Sequence, residues 1–324
     1  MDFFPRDKQW GLTKSVYSPH LAQEMVWLSG LLPYEQASTV WARIGECELP
    51  ASSLWRQVQY HGRRLQTYVE CQASVAAVDL AQWEPAHPQP KGISMDGGMV
   101  NTREEGWREL KVGAVFDIQT RFEPHPVTGY LTKMAHGVGI HYTAVLGSKT
   151  EFEPVFEALA VAQHVPQATH QGVVADGAAW IWDIADYLFP HAHQLVDWYH
   201  ATQHLTRAAQ LRHPDDETDR HTWETTMRAH LFAGAIELIK TDLADTPAAS
   251  KAHYFETHQH RLNYEQARLA GWPLGSGTVE SGVKQFKQRL SGAGMRWKLA
   301  NVQPMVTIRA AVLSNTFDAL WAVA

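Results

Sequence analysis

Two aspartates end short apolar runs: Asp96 closes GISMD and Asp176 closes GVVAD. A carboxylate at the tip of a buried strand is costly to desolvate unless something pairs with it. The C-terminal edge of an α/β sheet is also a common place for chemistry. A third acid, Glu280, lies in GSGTVESGVKQFKQRLSG. At 100° per residue, Glu280, Lys284 and Lys287 share one side of a helix. Val279, Val283, Phe286 and Leu290 form a separate apolar stripe about a quarter turn away. A helix docked by that stripe points Glu280 at the aspartates and offers two lysines to phosphates. Arg289 falls on the opposite side of the same helix and is expected to matter less there.

Grouped carboxylates repel one another and partly protonate unless cations neutralise them. Hard divalent ions with oxygen ligands meet that need, and Mg²⁺ is the usual choice with phosphate substrates. Two such ions about 4 Å apart can activate a water or a 3′-hydroxyl and stabilise the leaving oxygen of an in-line displacement. The chain has 34 Asp and Glu, so solvated charge, helix caps and turn acids are the standing alternative for any three of them.

The elements that must position these acids follow from the hydrophobic pattern. WRELKVGAVFDIQTRF alternates, with Leu110, Val112, Ala114, Phe116 and Ile118 on one face, and GYLTKMAHGVGIHYTAV returns as its partner beyond Pro124, Pro126 and Gly129. EFEPVFEALAVAQHV is an amphipathic helix with Pro154 in its first turn. QGVVAD is a fourth strand, AAWIWDIADYLF a helix stopped at Pro190, and HQLVDW a fifth strand. The order predicts an α/β fold: a ribonuclease-H-like, mixed five-stranded sheet flanked by helices. Four segments are expected: a helical N-terminal domain over 1–85, the first part of the catalytic domain over 86–200, a helical insertion over 201–271, and a C-terminal catalytic part over 272–324.

In the first segment, PYEQASTVWARIG and LPASSLWRQVQYHGRRLQTY are helical patterns joined by a turn carrying Gly45. The spacing fits a helix-turn-helix that offers Arg56, Arg63 and Arg64 to DNA, or a plain helical hairpin. AQWEPAHPQPKG, with three prolines, is a linker ending near Lys91.

At 324 residues, 45% hydrophobic and 19% charged, the composition is that of a globular protein with a sizeable core. The longest apolar stretch, Ala178 to Val196, is interrupted by Asp183, Asp186 and Pro190, so no membrane span is expected. MDFFPRDKQW lacks an apolar signal core, which points to the cytoplasm. Cys47 and Cys71 cannot form a four-cysteine zinc site and are expected as reduced, partly buried thiols. Net charge is −6, so bulk charge does not announce a nucleic-acid binder. From Trp272 onward, however, Lys284, Lys287, Arg289, Arg296, Lys298 and Arg309 stand against Glu280 and Asp318, a local +4.

Three blocks then occur in order: SMDGGMVNTREEGWRELKVGAVF, VADGAAWIWDIADYLFPHAHQLVDWYHATQHL and GSGTVESGVKQFKQRLSGAGMRW. Together they resemble the catalytic blocks of bacterial insertion-sequence DDE transposases of the ISKra type, related to the Mutator-like transposases. The resemblance covers roughly residues 90 to 310. It implies that Asp96, Asp176 and Glu280 are the catalytic and metal-binding acids, in that order. Two Mg²⁺ or Mn²⁺ ions would support strand cleavage and strand transfer at the ends of a mobile element. It also implies double-stranded DNA partners, as terminal inverted repeats and target, and a homodimer or higher oligomer on that DNA in the bacterial nucleoid. DWYH, Asp197 to His200, matches the D/C-x-x-H motif of the wider group. The acidic overall charge departs from that pattern.

Around these residues, each sharp reading has a plain one. His200 and His204 lie one helical turn apart, a zinc spacing. Without an HExxH glutamate, His200 is expected to hydrogen-bond Asp197 or a phosphate instead. Trp180, Trp182 and Trp198 are core candidates. Trp223, in the insertion, is a core residue or one that stacks on a flipped base. His253, His258 and His260 form a solvated helix face. Arg296 and Lys298, beside paired glycines in SGAGMRWK, extend a basic DNA-binding surface or an ordinary solvated one. Gly97, Gly98 and Gly177 beside the aspartates permit a close phosphodiester or simply tight turns. The rival functions are a nuclease that cuts without joining, a glycoside hydrolase using two of the acids, and a transposase-derived DNA-binding protein.

Overall fold

The computed structural model describes residues 16–79 and 89–324. Most of the proline-rich linker and the first fifteen residues lie outside the described residues, as do the side chains of 75–79.

Three helices come first: α1 (Pro19–Leu31), α2 (Tyr34–Ile44) and α3 (Ala51–Asp79). Ser18 caps α1 by accepting from the Leu21 N–H, and Pro19 sits in the first turn, where its missing N–H costs nothing. A meander follows, of β1 (Lys91–Thr102), β2 (Gly106–Pro124) and β3 (Leu131–Leu146). Helix α4 (Lys149–Ala162), β4 (Gln171–Ala175), α5 (Ala179–Leu188) and β5 (His193–Val196) complete the sheet region. Ser148 and Glu151 close a capping box at the start of α4, which accommodates Pro154 inside its first turns.

The fold is α/β, with a five-stranded mixed sheet in the order β3-β2-β1-β4-β5. The β3-β2-β1 pairs are antiparallel, whereas β1-β4 and β4-β5 are parallel. Helices then run to the C-terminus: α6 (Trp198–Arg212), α7 (Glu217–Phe232), α8 (Ile236–Leu243), α9 (Ala252–Thr257), α10 (Tyr264–Leu269), α11 (Gly277–Leu290), α12 (Leu299–Leu313) and α13 (Phe317–Val323). No helix among the described residues is long and apolar enough to cross a membrane.

Strand alternation divides the core between the two faces of the sheet. Ile93, Met95, Val115 and Val173 join α4, α5 and the 201–271 helices in one apolar cluster. Leu110, Val112, Ala114 and Phe116, which share a face as their spacing predicts, join α11 and α12 in the other. Val26, Val58 and Leu65 of the first helices belong to that second cluster. The long helix α3 therefore packs on the C-terminal helices, and Arg64 reaches Trp321, its guanidinium 4.8 Å above the ring. Arg56 and Arg63 are exposed on the same helix.

Helix α11 docks as its stripe requires, burying Val279, Val283, Phe286 and Leu290. Two glycines allow the close approach. A Cβ at Gly282 would stand 2.4 Å from Tyr142 Cε1, and one at Gly98 would stand 3.2 Å from Val283 Cγ1. The space at Gly98 is thus taken by the protein's own helix and not by a phosphodiester.

Candidate active site

The register of β1 and β4 sets the two aspartates. Lys91 pairs with Gln171, Gly92 with Gly172 and Ile93 with Val173. The Ser94 hydroxyl donates to the Val174 carbonyl at 2.5 Å, which keeps the same register one step further. Carried forward, it sets Asp96, in the middle of β1, level with Asp176, one residue past β4. On β1, Asp96 has the parity of Gly98 and Val100, the face on which α11 lies, whereas Met95 faces the other cluster.

Asp96, Asp176 and Glu280 line one cleft of about 360 Å³, together with His200, Lys284 and Lys287. Each carboxylate has a local partner. Asp96 Oδ1 accepts from the Gly97 N–H at 2.6 Å, and Asp176 Oδ1 accepts from the Ala178 N–H at 2.9 Å. Glu280, in the first turn of α11, lies 3.2 Å from the Ser276 hydroxyl and 3.8 Å from Lys284 Nζ. Burial above all raises Asp96, to about 6, and the charges of Asp176 and Glu280 add to that; the Gly97 N–H and His200 act the other way. Asp96 therefore feels the other two acids, while Lys284 stands beside Glu280.

Hard oxygen donors around grouped negative charge suit Mg²⁺ or Mn²⁺ in kind. As the side chains stand, no three Asp, Glu, His or Cys residues among the described residues are gathered closely enough to hold an ion. A bound ion would need these side chains to close in from the positions they hold here. Asp96, Asp176 and Glu280 would be the ligands.

Asp197 ties the site together. It is 1% exposed, caps α6 by accepting from the His200 N–H at 2.7 Å, and accepts from both the Ser276 N–H and, at 3.0 Å, the Ser276 hydroxyl. Its own N–H donates to the Ala175 carbonyl, one residue before Asp176, at 2.8 Å. One buried carboxylate thus couples the end of β4, the start of α6 and the loop that launches α11. The cap accounts for Asp197, but it uses only the backbone N–H of His200 and not the imidazole. The expected bond from the His200 ring to Asp197 is absent; that ring instead lies 5.5 Å from His204 and 6.3 Å from Tyr254.

Several expectations are corrected. Arg289 is 1% exposed, with Nε donating to the Ser29 carbonyl, so it cannot contact DNA as a surface cation. The helical arithmetic sets it opposite Glu280 but does not foretell its burial, which contacts from distant segments impose. Trp223 is 8% exposed and its indole N–H donates to Asp242 at 2.6 Å, which leaves no free face for a flipped base. His258 is buried against Tyr254 and Trp182, unlike the solvated His253. Cys47 and Cys71 are free but exposed. Arg296 and Lys298 are exposed and line a second cavity, away from the carboxylate cleft.

Ser276, Gln203 and Tyr254 were missed by sequence reasoning. Ser276 stands four residues before Glu280 at the mouth of a helix, a cap-like position that could have flagged it. Tyr254 stacks on His204 with centroids 3.6 Å apart, and burial, then Asp176 and Asp197, push its hydroxyl upward. No local signal announces that contact, because the two rings come from different helices. Burial also lowers His204 and His258 to about 4, so both rings beside the cleft are neutral at pH 7.

Compared with known proteins, the chain matches no family model and no curated protein sequence.

Proposed function

We propose that the chain is a DNA transposase of the insertion-sequence DDE type, with a ribonuclease-H-like fold, that cleaves and transfers strands at the ends of a bacterial mobile element. The observation that carries this reading is one cleft lined by three acids distant in sequence, Asp96, Asp176 and Glu280, with Lys284 and Lys287 on the same helix face as Glu280. The strand order, with two antiparallel neighbours and two parallel ones, is compatible with that fold. The three sequence blocks carry the resemblance to the family.

In this reading, two divalent cations supply a nucleophilic oxygen and stabilise the leaving one when bound. The chain's residues do the rest. Asp96 from β1 and Asp176 from the residue after β4 provide oxygens on one side of the cleft. Glu280 closes the set from α11, and Asp197 fixes that helix against the end of β4 through Ser276. Lys284 and Lys287 receive the adjacent phosphates. The partners are double-stranded DNA, as terminal inverted repeats and target, and a second copy of the chain; the compartment is the bacterial cytoplasm.

The test uses duplex DNA carrying the element's ends, with Mg²⁺ or Mn²⁺. Nicking at the ends, followed by joining of pre-cut 3′-hydroxyl ends into target DNA, is the expected result. Nicking without joining would leave a nuclease, and metal-independent binding alone would leave a transposase-derived DNA-binding protein.

A further inference from the structure

Helix α11 serves two cavities. Its first turn brings Glu280 to the carboxylate cleft. Its last turn brings Arg289, about 13 Å further along the axis, to a second cavity of about 350 Å³. Three aromatic residues, Tyr34, Trp55 and Trp297, line that cavity, and so do the cations Arg103, Arg289, Arg296 and Lys298. Among the described residues, no carboxylate lines it. Glu104, beside Arg103, is engaged in capping the Leu299 N–H at 3.0 Å.

The charge behind these walls is unusual. Arg289 is 1% exposed, Nε donates to the Ser29 carbonyl at 2.7 Å, and its guanidinium lies beside the Tyr34 hydroxyl. Its guanidinium lies 4.9 Å from the Tyr34 ring and 5.3 Å from the Trp297 ring. Arg309, 5% exposed, stands behind it and donates only to the carbonyls of Gly30 and Gln285. Neither guanidinium is salt-bridged to a carboxylate among the described residues. Buried charge without a counter-charge is costly. Here the field of two guanidiniums opens toward a cavity whose rim carries three more cations.

The aromatic part is equally specific. Trp297 is anchored by its indole N–H to the Leu290 carbonyl at 2.9 Å, whereas Trp55 is 43% exposed. A ligand that suits this site has a flat apolar ring and a negative charge beside it, which is the chemistry of a nucleotide. Lys284 and Lys287 are exposed and line the carboxylate cleft itself, on the face of α11 opposite Arg289. The axial offset between Glu280 and Arg289 corresponds to about four duplex steps at 3.4 Å each.

We propose that this cavity holds one unpaired nucleotide of a DNA strand engaged in the carboxylate cleft, its base against Trp55 and its phosphate over Arg103, Arg296 and Lys298. Arg289 acts through its field. This assignment rests on the proposed DNA-processing reading and adds a second, non-catalytic site to it.

The experiment measures metal-free binding by fluorescence with 2-aminopurine in three settings. These are an unpaired position in a duplex, the same position paired, and the free deoxynucleoside 5′-monophosphate. Wild type should quench the unpaired probe. Trp55→Ala should weaken its binding by about tenfold, the scale of one base–aromatic stack, and leave the paired duplex unchanged. An Arg296→Ala, Lys298→Ala double variant should weaken binding and flatten its salt dependence for the unpaired probe. Equal binding of the unpaired probe by wild type and Trp55→Ala overturns the proposal. Binding of the free monophosphate as tight as that of the strand overturns the strand assignment and makes the ligand a free nucleotide. Mg²⁺-dependent nicking of ordinary duplex, run in parallel, separates the two readings. Retained nicking with a failed cavity isolates the error here; lost nicking with intact cavity binding isolates it at the carboxylates.

Discussion

Asp96 lies within β1 and Asp176 one residue past the neighbouring parallel strand β4, and the register that pairs Lys91 with Gln171 and Ile93 with Val173, carried forward, sets them level. Burial above all, and then the charges of Asp176 and Glu280, raise Asp96 to about 6.

The first prediction concerns chemistry. Asp96→Asn or Asp176→Asn should abolish metal-dependent cleavage, since each removes a charged oxygen donor from the cleft. Circular dichroism should remain that of wild type. Cleavage at the wild-type rate by either variant would falsify the site assignment.

Stability against pH provides a second test, made without metal. The folded value of Asp96 lies above its unfolded 3.8, so the folded chain holds that proton more tightly. This contribution is fully present below about pH 4 and is lost as pH rises through about 6. Asn cannot ionise and escapes the loss. Asp96→Asn should therefore be more stable than wild type at pH 7.5, by no more than about 3 kcal/mol, and the gap should close at pH 4. Urea titrations at both pH values check it; a gap that widens on acidification refutes the assignment.

Divalent metal should raise the melting temperature, because ions bind the folded cleft and not the unfolded chain. At 100 times the dissociation constant the gain is about 2.7 kcal/mol. Thermal scans of the Asp96→Asn, Asp176→Asn double variant with and without Mg²⁺ should coincide. An equal metal response in wild type and double variant would place the ion elsewhere.

Asp197 is expected to act through position. Asp197→Ala removes the α6 cap and orphans the Ser276 N–H, a loss of about 2 kcal/mol in stability. It should also raise the Mg²⁺ concentration needed for half-maximal cleavage, since Glu280 is no longer fixed against β4. Asp197→Asn keeps an acceptor oxygen and should restore part of that Mg²⁺ response. A variant that loses stability with an unchanged Mg²⁺ midpoint would confine Asp197 to a structural role.

Salt dependence separates the cations of α11. Lys284→Ala with Lys287→Ala should flatten the plot of log affinity against log salt by about 2 units, one for each phosphate no longer neutralised. Arg289→Ala should instead lower the melting temperature, because it empties a buried site and orphans the Ser29 carbonyl. An unchanged slope in the double lysine variant would turn this helix face away from DNA.

Alternation and helical period are local properties, and they made much of the molecule legible in the sequence. The shared face of Leu110, Val112, Ala114 and Phe116 was readable there, as was the stripe of α11 that aims Glu280 and the two lysines at one side. So was Asp176 just past a strand end, whereas Asp96 stands inside β1, which runs on to Thr102. What the tertiary structure decided concerns polar groups with distant partners. Arg289 lies beneath Ser29, 260 residues away in the chain, and Asp197 holds Ser276 across 79 residues. Trp223 is fixed by Asp242 from another helix, and Tyr254 stacks on His204. A charged or aromatic residue looks the same in sequence whether solvent or a remote carbonyl satisfies it. Only the packing of separate elements determines which of the two holds, and with it whether the residue faces DNA or the core.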